Sequence, residues 1–286
     1  TFWKDAIGRL MKNKVAVVCF FIIVLLILSC IIVPFFSPFE SREQHLGEVN
    51  KGFMTVCTDS RYEGQHHVHY FGTDNLGRDL FLRAFEGGRV SLMIAFAAVF
   101  VNLIVGLIYG GISGYVGGAV DTIMMRIVEI VNGIPYLIVV ILLMMVLPKG
   151  IFTMVVAYGI TGWTGMARLV RGQVLQLKSQ EYIVAAEAMG AKSSRIIAKH
   201  LIPNALSVII INVTLAIFTE AFLSYIGLGV PVPQPSWGVL AKGGQDVFMT
   251  YPYQLVVPAV AISLTMLSFN LLGDGLRDAF DPRLRR

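Results

Sequence analysis

Charge is scarce in this 286-residue chain: 14% of its residues are Asp, Glu, Lys or Arg, against about 25% in soluble domains. The deficit is concentrated in several windows of about 18 or more residues without a charge, long enough to cross a hydrocarbon core as helix. That excludes an ordinary soluble domain and points to an all-α, multi-pass membrane protein.

Cysteine is nearly absent. Cys19 and Cys30 fall in the first apolar segment and Cys57 stands alone, so neither a disulfide framework nor zinc-finger spacing is available. A phosphate loop is missing too. Gly190-Ala191-Lys192-Ser193 has Ala where such a loop needs Gly before Lys, and no strand precedes it. Gly-x-Ser-x-Gly, His-Glu-x-x-His and paired intramembrane Asp are also missing, which argues against an intramembrane enzyme. The chain is read as binding no cofactor of its own; if ATP drives it, a partner holds the ATP.

The chain starts at Thr1 without Met, so a short N-terminal piece is expected to precede this numbering. The first apolar segment is too long for a signal-peptide core and no small-residue cleavage site follows it, so it reads as a retained span.

What is present is six apolar segments, near 15–36, 91–114, 130–147, 151–167, 204–230 and 255–272. The net charge of +5 could suggest nucleic acid, but its distribution suggests membrane topology instead. Segment 1–14 carries four Lys or Arg, 168–203 carries six, and the tail after 272 carries four. The positive-inside rule makes that side cytoplasmic, so both termini are expected there and 37–90 outside. The division is then 1–14 cytoplasmic, 15–36 first span, 37–90 outer segment, and 91–286 a five-helix core with a cytoplasmic loop at 168–203. The expected setting is a lipid bilayer, with no nucleic-acid partner.

Gly106, Gly110, Gly114 and Gly118 recur every fourth residue and predict a face for close helix packing. Gly133 and Pro135 predict a kink. Within 168–203, Tyr182, Ala185, Ala186 and Met189 make an apolar stripe on a short helix, with Glu181 and Glu187 off it. Gly190 interrupts, Ser193 or Ser194 can cap a second helix, Ile197 and Leu201 form its stripe, and Pro203 closes the unit. Taken alone, such a pair could lie on the membrane surface.

The spacing of Ala185, Ala186, Gly190 and Pro203 resembles the cytoplasmic signature loop of permease subunits in ABC importers. Val184, His200 and Ile202 depart from the pattern, which has Glu, Ile and Leu there. The run from His69 through Gly72-Thr73-Asp74 and Gly77-Arg78-Asp79 to Gly88-Arg89-Val90-Ser91-Leu92 resembles the dipeptide and oligopeptide permeases. So do Gly114-Tyr115-Val116-Gly117-Gly118 with Asp121. Trp237-Gly238, Asn270 to Asp278 and Asp281-Pro282 are similar to the C-type subunit of that family, which also includes nickel permeases.

The resemblance implies a type I ABC importer permease in a bacterial cell membrane. It implies a related permease subunit alongside, two ATPase subunits carrying ATP and Mg²⁺ below, and an extracytoplasmic peptide-binding protein above. It implies that Glu181, Tyr182, Ala185, Ala186, Glu187, Met189, Gly190, Ala191, Ile197 and Pro203 dock on an ATPase, whose closure drives alternating access.

Glu220 is the acidic residue deep inside a span, where such residues face a cavity or a polar partner. Both a pathway or gate role and a structural hydrogen bond stand open for it. Asn212, Thr214 and Thr219 are candidates for the same wet face, although Thr can bond its own backbone. In the outer segment, Gly72-Thr73-Asp74 and Gly77-Arg78-Asp79 read as turns with self-bonding Asp; a contact with the binding protein or partner permease is the alternative. His66, His67 and His69 invite a metal reading, but no Cys or helical spacing supports them and no metal is assigned. The remaining alternatives are a nickel permease of the same family and a proton-coupled secondary transporter using Glu220.

Overall fold

A computed structural model describes residues 2–59, 67–178 and 202–280. The described residues are overwhelmingly helical. α1 (Phe2–Lys12) and α2 (Lys14–Phe36) meet at Asn13, whose side chain accepts from Ala16 N at 3.1 Å. That bond satisfies one of the donors that a helix start leaves open. α2 buries Ala16, Cys19, Ile23 and Cys30, a stripe at helical spacing, while residues such as Phe21, Leu25 and Phe36 are exposed.

Between α2 and the next long helix lies a small substructure, named the outer substructure after the side expected for 37–90. It holds a 3₁₀ turn (Leu46–Glu48) and two two-residue strands, β1 (Thr55–Val56) and β2 (Val68–His69). The strands pair antiparallel, Thr55 opposite His69 and Val56 opposite Val68. Asp74 closes the following turn, its Oδ1 accepting from Leu76 N (2.9 Å) and Arg78 N (3.0 Å). Gly77 sits at φ +72°, and a Cβ there would lie 2.0 Å from His45 O, so turn and packing both require glycine.

α3 (Leu80–Val116) has 37 residues and starts eleven residues before the expected boundary near Ser91. Asp79 caps it, its Oδ1 accepting from Leu82 N at 2.6 Å. Arg83, Glu86 and Arg89 in the first turns hide this extension from a hydropathy reading. The expected 37–90 unit is therefore an irregular part plus the outer end of α3.

The segment expected at 130–147 is two helices, α4 (Gly118–Asn132) and α5 (Tyr136–Val146), meeting at 76°. Pro135 lacks the N–H that a continuing helix would use, which fixes the break. The segment expected at 151–167 is also divided: α6 (Ile151–Thr161) ends at Gly162 and α7 (Trp163–Lys178) runs on past it. α8 (Ile202–Tyr225), α9 (Trp237–Asp246) and α10 (Tyr253–Phe280) complete the chain.

Among the described residues, α2, α3 and α10 are long and apolar enough to cross a membrane, and the α4–α5 pair adds a bent fourth candidate. α3 is the centre of the packing. It contacts α2, α4, α6, α7 and α8, while α10 packs on α2, α8 and α9. The main core, with Leu92, Ala95, Val99, Ala216, Ile217 and Trp237, lies where α2, α3, α8, α9 and α10 converge. Phe21, Leu25, Phe100 and Val260 face outward, as expected of helices whose surroundings are hydrocarbon rather than water.

Candidate functional site

Three glycines of the four-residue series let α3 lie against α7. A Cβ on Gly106 would come within 2.5 Å of Met166 Cβ, on Gly110 within 2.3 Å of Ala167 O, and on Gly114 within 2.9 Å of Val174 Cβ. Gly118 is not part of this face. α3 ends at Val116, Gly117 turns the chain, and Gly118 opens α4 with nothing within 4 Å of its Cβ position.

α7 is further held by its basic residues. Arg171 donates through Nε to Asp121 Oδ1 and through Nη2 to Oδ2, both at 2.5 Å. Ser113 Oγ of α3 donates to the same carboxylate. Asn132, with its amide oriented to satisfy both neighbours, donates to Thr164 Oγ1 (2.6 Å) and accepts from Arg168 Nη2 (2.8 Å). Lys178 donates to Tyr115 O at 2.7 Å. In sequence, Arg168, Arg171 and Lys178 register only as topological markers; in the fold they tie α7 to α3 and α4.

α7 ends where the description stops. Glu181, Tyr182, Ala185, Ala186, Glu187, Met189, Gly190, Ala191 and Ile197 lie outside the described residues. Pro203 is the second residue of α8.

Glu220 is 2% exposed in α8. Its Oε1 accepts from Ser224 Oγ at 2.7 Å. Ser91 and Ser236 border the same carboxyl, but Oε2 has no hydrogen-bond partner among the described residues. Each serine oxygen also accepts a backbone N–H, Ser91 Oγ from Trp237 N at 3.2 Å and Ser236 Oγ from Val239 N at 3.3 Å, which leaves both hydroxyl protons able to turn toward the carboxyl. Ser224 also lines a cleft of about 750 Å³ between the outer substructure, the 226–236 loop and α9, into which Asp74, Arg83, Lys149 and Lys242 also reach. Glu220 thus sits below the floor of a mixed-charge cleft.

The other candidates of α8 do not join it. Thr219 donates to its own helix at Leu215 O (2.7 Å). Asn212 is half-buried and lies eight residues earlier, about 12 Å along the axis. Thr214 is buried and its Oγ1 has no hydrogen-bond partner among the described residues.

The most heavily charged buried group lies in the outer substructure. His69 is fully buried, its Nδ1 2.8 Å from Asp79 Oδ2 and its Nε2 2.9 Å from Glu48 Oε2. The Phe39 ring stacks on it, centroids 4.4 Å apart. Burial works against the imidazolium, but bonds and charges from Asp79 and Glu48 outweigh it and raise the His69 pKa above its ordinary value. Burial likewise opposes the Glu48 carboxylate; bonds from Thr58 N–H, the Thr58 hydroxyl and His69 outweigh it and hold the pKa below normal. Arg83, 1% exposed, donates to Ser41 O at 2.7 Å. Tyr253 Oη donates to Lys51 O at 2.7 Å, tying this unit to α10. Composition gave no sign of the Glu48–His69–Asp79 group, because its members are 21 and 10 residues apart; the one available signal was a His immediately before two Asp turns.

The sequence matches two family profiles. Residues 103–286 match the binding-protein-dependent transport system inner membrane component, and residues 1–52 match the N-terminal TM domain of oligopeptide transport permease C. The oligopeptide transport system permease protein OppC of Bacillus subtilis is 50% identical over the whole chain and 91% of its own length. The dipeptide transport system permease protein DppC of the same organism is 47% identical over the whole chain and 87% of its length. OppC of Escherichia coli K12 is 43% identical over the whole chain and 92% of its length. Among solved structures, a chain of the inward-facing MetNI methionine ABC transporter superposes with a TM-score of 0.52 at 21% identity, covering 68% of this chain and 94% of that one; at that identity the likeness concerns the fold. With full-length relatives at this identity and a profile spanning most of its helices, the chain belongs to the binding-protein-dependent transport system inner membrane components.

Proposed function

We propose that this chain is a transmembrane subunit of an ATP-driven importer of oligopeptides or dipeptides. The observation that carries the reading is 50% identity over the whole chain to an oligopeptide permease. The named relatives with high identity are peptide permeases, which favours peptide over nickel. The secondary-transporter alternative offers no role for a polar 168–203 loop that follows the ABC permease spacing.

In this reading the chain has six spans, with both termini and 168–203 in the cytoplasm of a bacterial cell. It pairs with a related permease subunit. Two ATPase subunits bind ATP and Mg²⁺ and hydrolyse the nucleotide, and a binding protein delivers peptide from outside. Residues 181–203 seat on an ATPase, with Gly190 at the turn. α7 precedes that segment in the chain and is tied to α4 through Asp121–Arg171 and to α3 through Lys178, so its displacement passes to the helices that line the pathway. Glu220, under the cleft floor, is the candidate gate residue on α8.

The test is reconstitution with the neighbouring gene products. ATPase subunits co-purify, labelled peptide is taken up and Ni²⁺ is not. Gly190→Trp is expected to leave ATP hydrolysis running while uptake is lost. Uptake that survives Gly190→Trp refutes the coupling role, and Ni²⁺ uptake without peptide uptake refutes the substrate.

A further inference from the structure

We propose that Glu48, Cys57 and His69 form a structural zinc site in the outer substructure. One ligand atom from each lies within 4.8 Å of the other two, and all three side chains are buried. The three donors come from separate local elements: the end of the 3₁₀ turn, the residue after β1, and β2. Pairing of β1 with β2 sets Thr55 opposite His69, so Cys57 is carried to the same spot by the hairpin.

Zinc takes thiolate, imidazole nitrogen and carboxylate oxygen in tetrahedral sets, with bonds of about 2.0–2.3 Å, so neighbouring ligand atoms stand about 3.4–3.6 Å apart. His69 Nε2 and Glu48 Oε2 are 2.9 Å apart. Seating an ion between them requires an opening of about half an ångström, within side-chain adjustment. Two protons leave: the one between His69 Nε2 and Glu48, and the one on the Cys57 thiol.

The surroundings match a metal site. Asp79 holds His69 Nδ1 at 2.8 Å, the carboxylate–histidine pairing that fixes the tautomer and points Nε2 at a metal. His45 repeats this arrangement. It is 1% exposed, its Nδ1 is 2.8 Å from Asp59 Oδ2, and its ring centroid lies 6.0 Å from that of His69. Both its ring nitrogens face carboxylates, Nδ1 that of Asp59 and Nε2 that of Glu43 at 3.7 Å, so Glu48, Cys57 and His69 are the donor set that the fold brings together.

Among its described residues the substructure has little regular secondary structure. Its secondary structure is one 3₁₀ turn and two two-residue strands, and its own buried apolar cluster is Phe39 and Cys57 against Leu82. A metal would tie these short elements to one another, and Cys57 is a free thiol available to it.

The experiment uses the full chain in detergent, stripped with EDTA, dialysed and titrated with Zn²⁺ and then Co²⁺. One zinc per chain is retained, and cobalt gives a thiolate charge-transfer band. Cys57→Ser abolishes that band and weakens zinc binding more than Asp79→Asn does; Asp79→Asn weakens it about 10–100-fold. His67→Gln changes neither. Far-UV circular dichroism confirms that each variant is folded. The proposal is overturned if Cys57→Ser binds zinc like the wild type, if cobalt shows no thiolate band, or if the zinc is lost with His67→Gln alone.

Discussion

Arg171 grips Asp121 with two parallel bonds of 2.5 Å, joining the first turn of α4 to the middle of α7. The pair is partly exposed, so its contribution to stability is screened, and its weight lies in geometry. A guanidinium spans both carboxylate oxygens; an ammonium meets one. Arg171→Lys is therefore expected to fold and assemble, yet to lower peptide uptake per ATP hydrolysed several-fold in proteoliposomes. An unchanged ratio would remove this pair from the coupling route.

Gly110 and Gly111 are neighbours with opposite surroundings. A Cβ on Gly110 meets Ala167 O at 2.3 Å, whereas one on Gly111 meets nothing within 4 Å. Gly110→Val must push α7 away and is expected to destabilise the fold by about 1–3 kcal/mol or more. Gly111→Ala is expected to be neutral or stabilising by up to about 1 kcal/mol, because a helical glycine has been replaced. Thermal unfolding in detergent reads both.

Glu220→Gln preserves an acceptor for Ser224 and introduces donors beside Ser91 and Ser236. Complex assembly is expected to survive while uptake changes. Glu220→Leu leaves the buried Ser224 hydroxyl without its acceptor, at a cost of about 1–3 kcal/mol. If Gln disrupts assembly as badly as Leu, the carboxyl is a structural element and not part of a gate.

In metal-free protein, the order of the outer substructure should depend on pH in a defined direction. His69 has a raised pKa in the fold, so its contribution is complete below its ordinary value of 6.5 and is lost as pH rises through the raised one. Glu48 has a lowered pKa, so its contribution is complete above 4.5 and is lost as pH falls through the lowered one. Amide exchange at Val68 and Tyr70 is expected to be slowest between those limits and to quicken above them. Exchange that becomes slower through neutral pH, beyond the intrinsic base catalysis, would contradict the assignment.

The helical class and most segment positions were legible in the sequence because charge-free runs of span length have few other uses. The boundaries that escaped did so for local reasons. Asp79 starts α3 early, and Arg83, Glu86 and Arg89 mask the extension. Gly117 ends α3 just before the fourth glycine of its series. Pro135 and Gly162 split two apolar segments whose hydropathy is continuous across the break. Asp74 and Asp79 were readable as turn formers, since their bonds reach two to four residues along the chain. Glu48–His69–Asp79 and Asp121–Arg171 were not, because partners 10 to 50 residues apart meet only through the fold.

At 37 residues, α3 is about 55 Å long, close to twice the thickness of a hydrocarbon core. Its N-terminal end is bonded to the His69 cluster through Asp79, and its C-terminal half rests on α7 through Gly110 and Gly114. It therefore works as a rod with a load at each end. A tilt of about 10° displaces one end of such a rod relative to the other by about 10 Å. The His69 cluster at one end of α3 and the α7 contact at the other therefore cannot be repositioned independently.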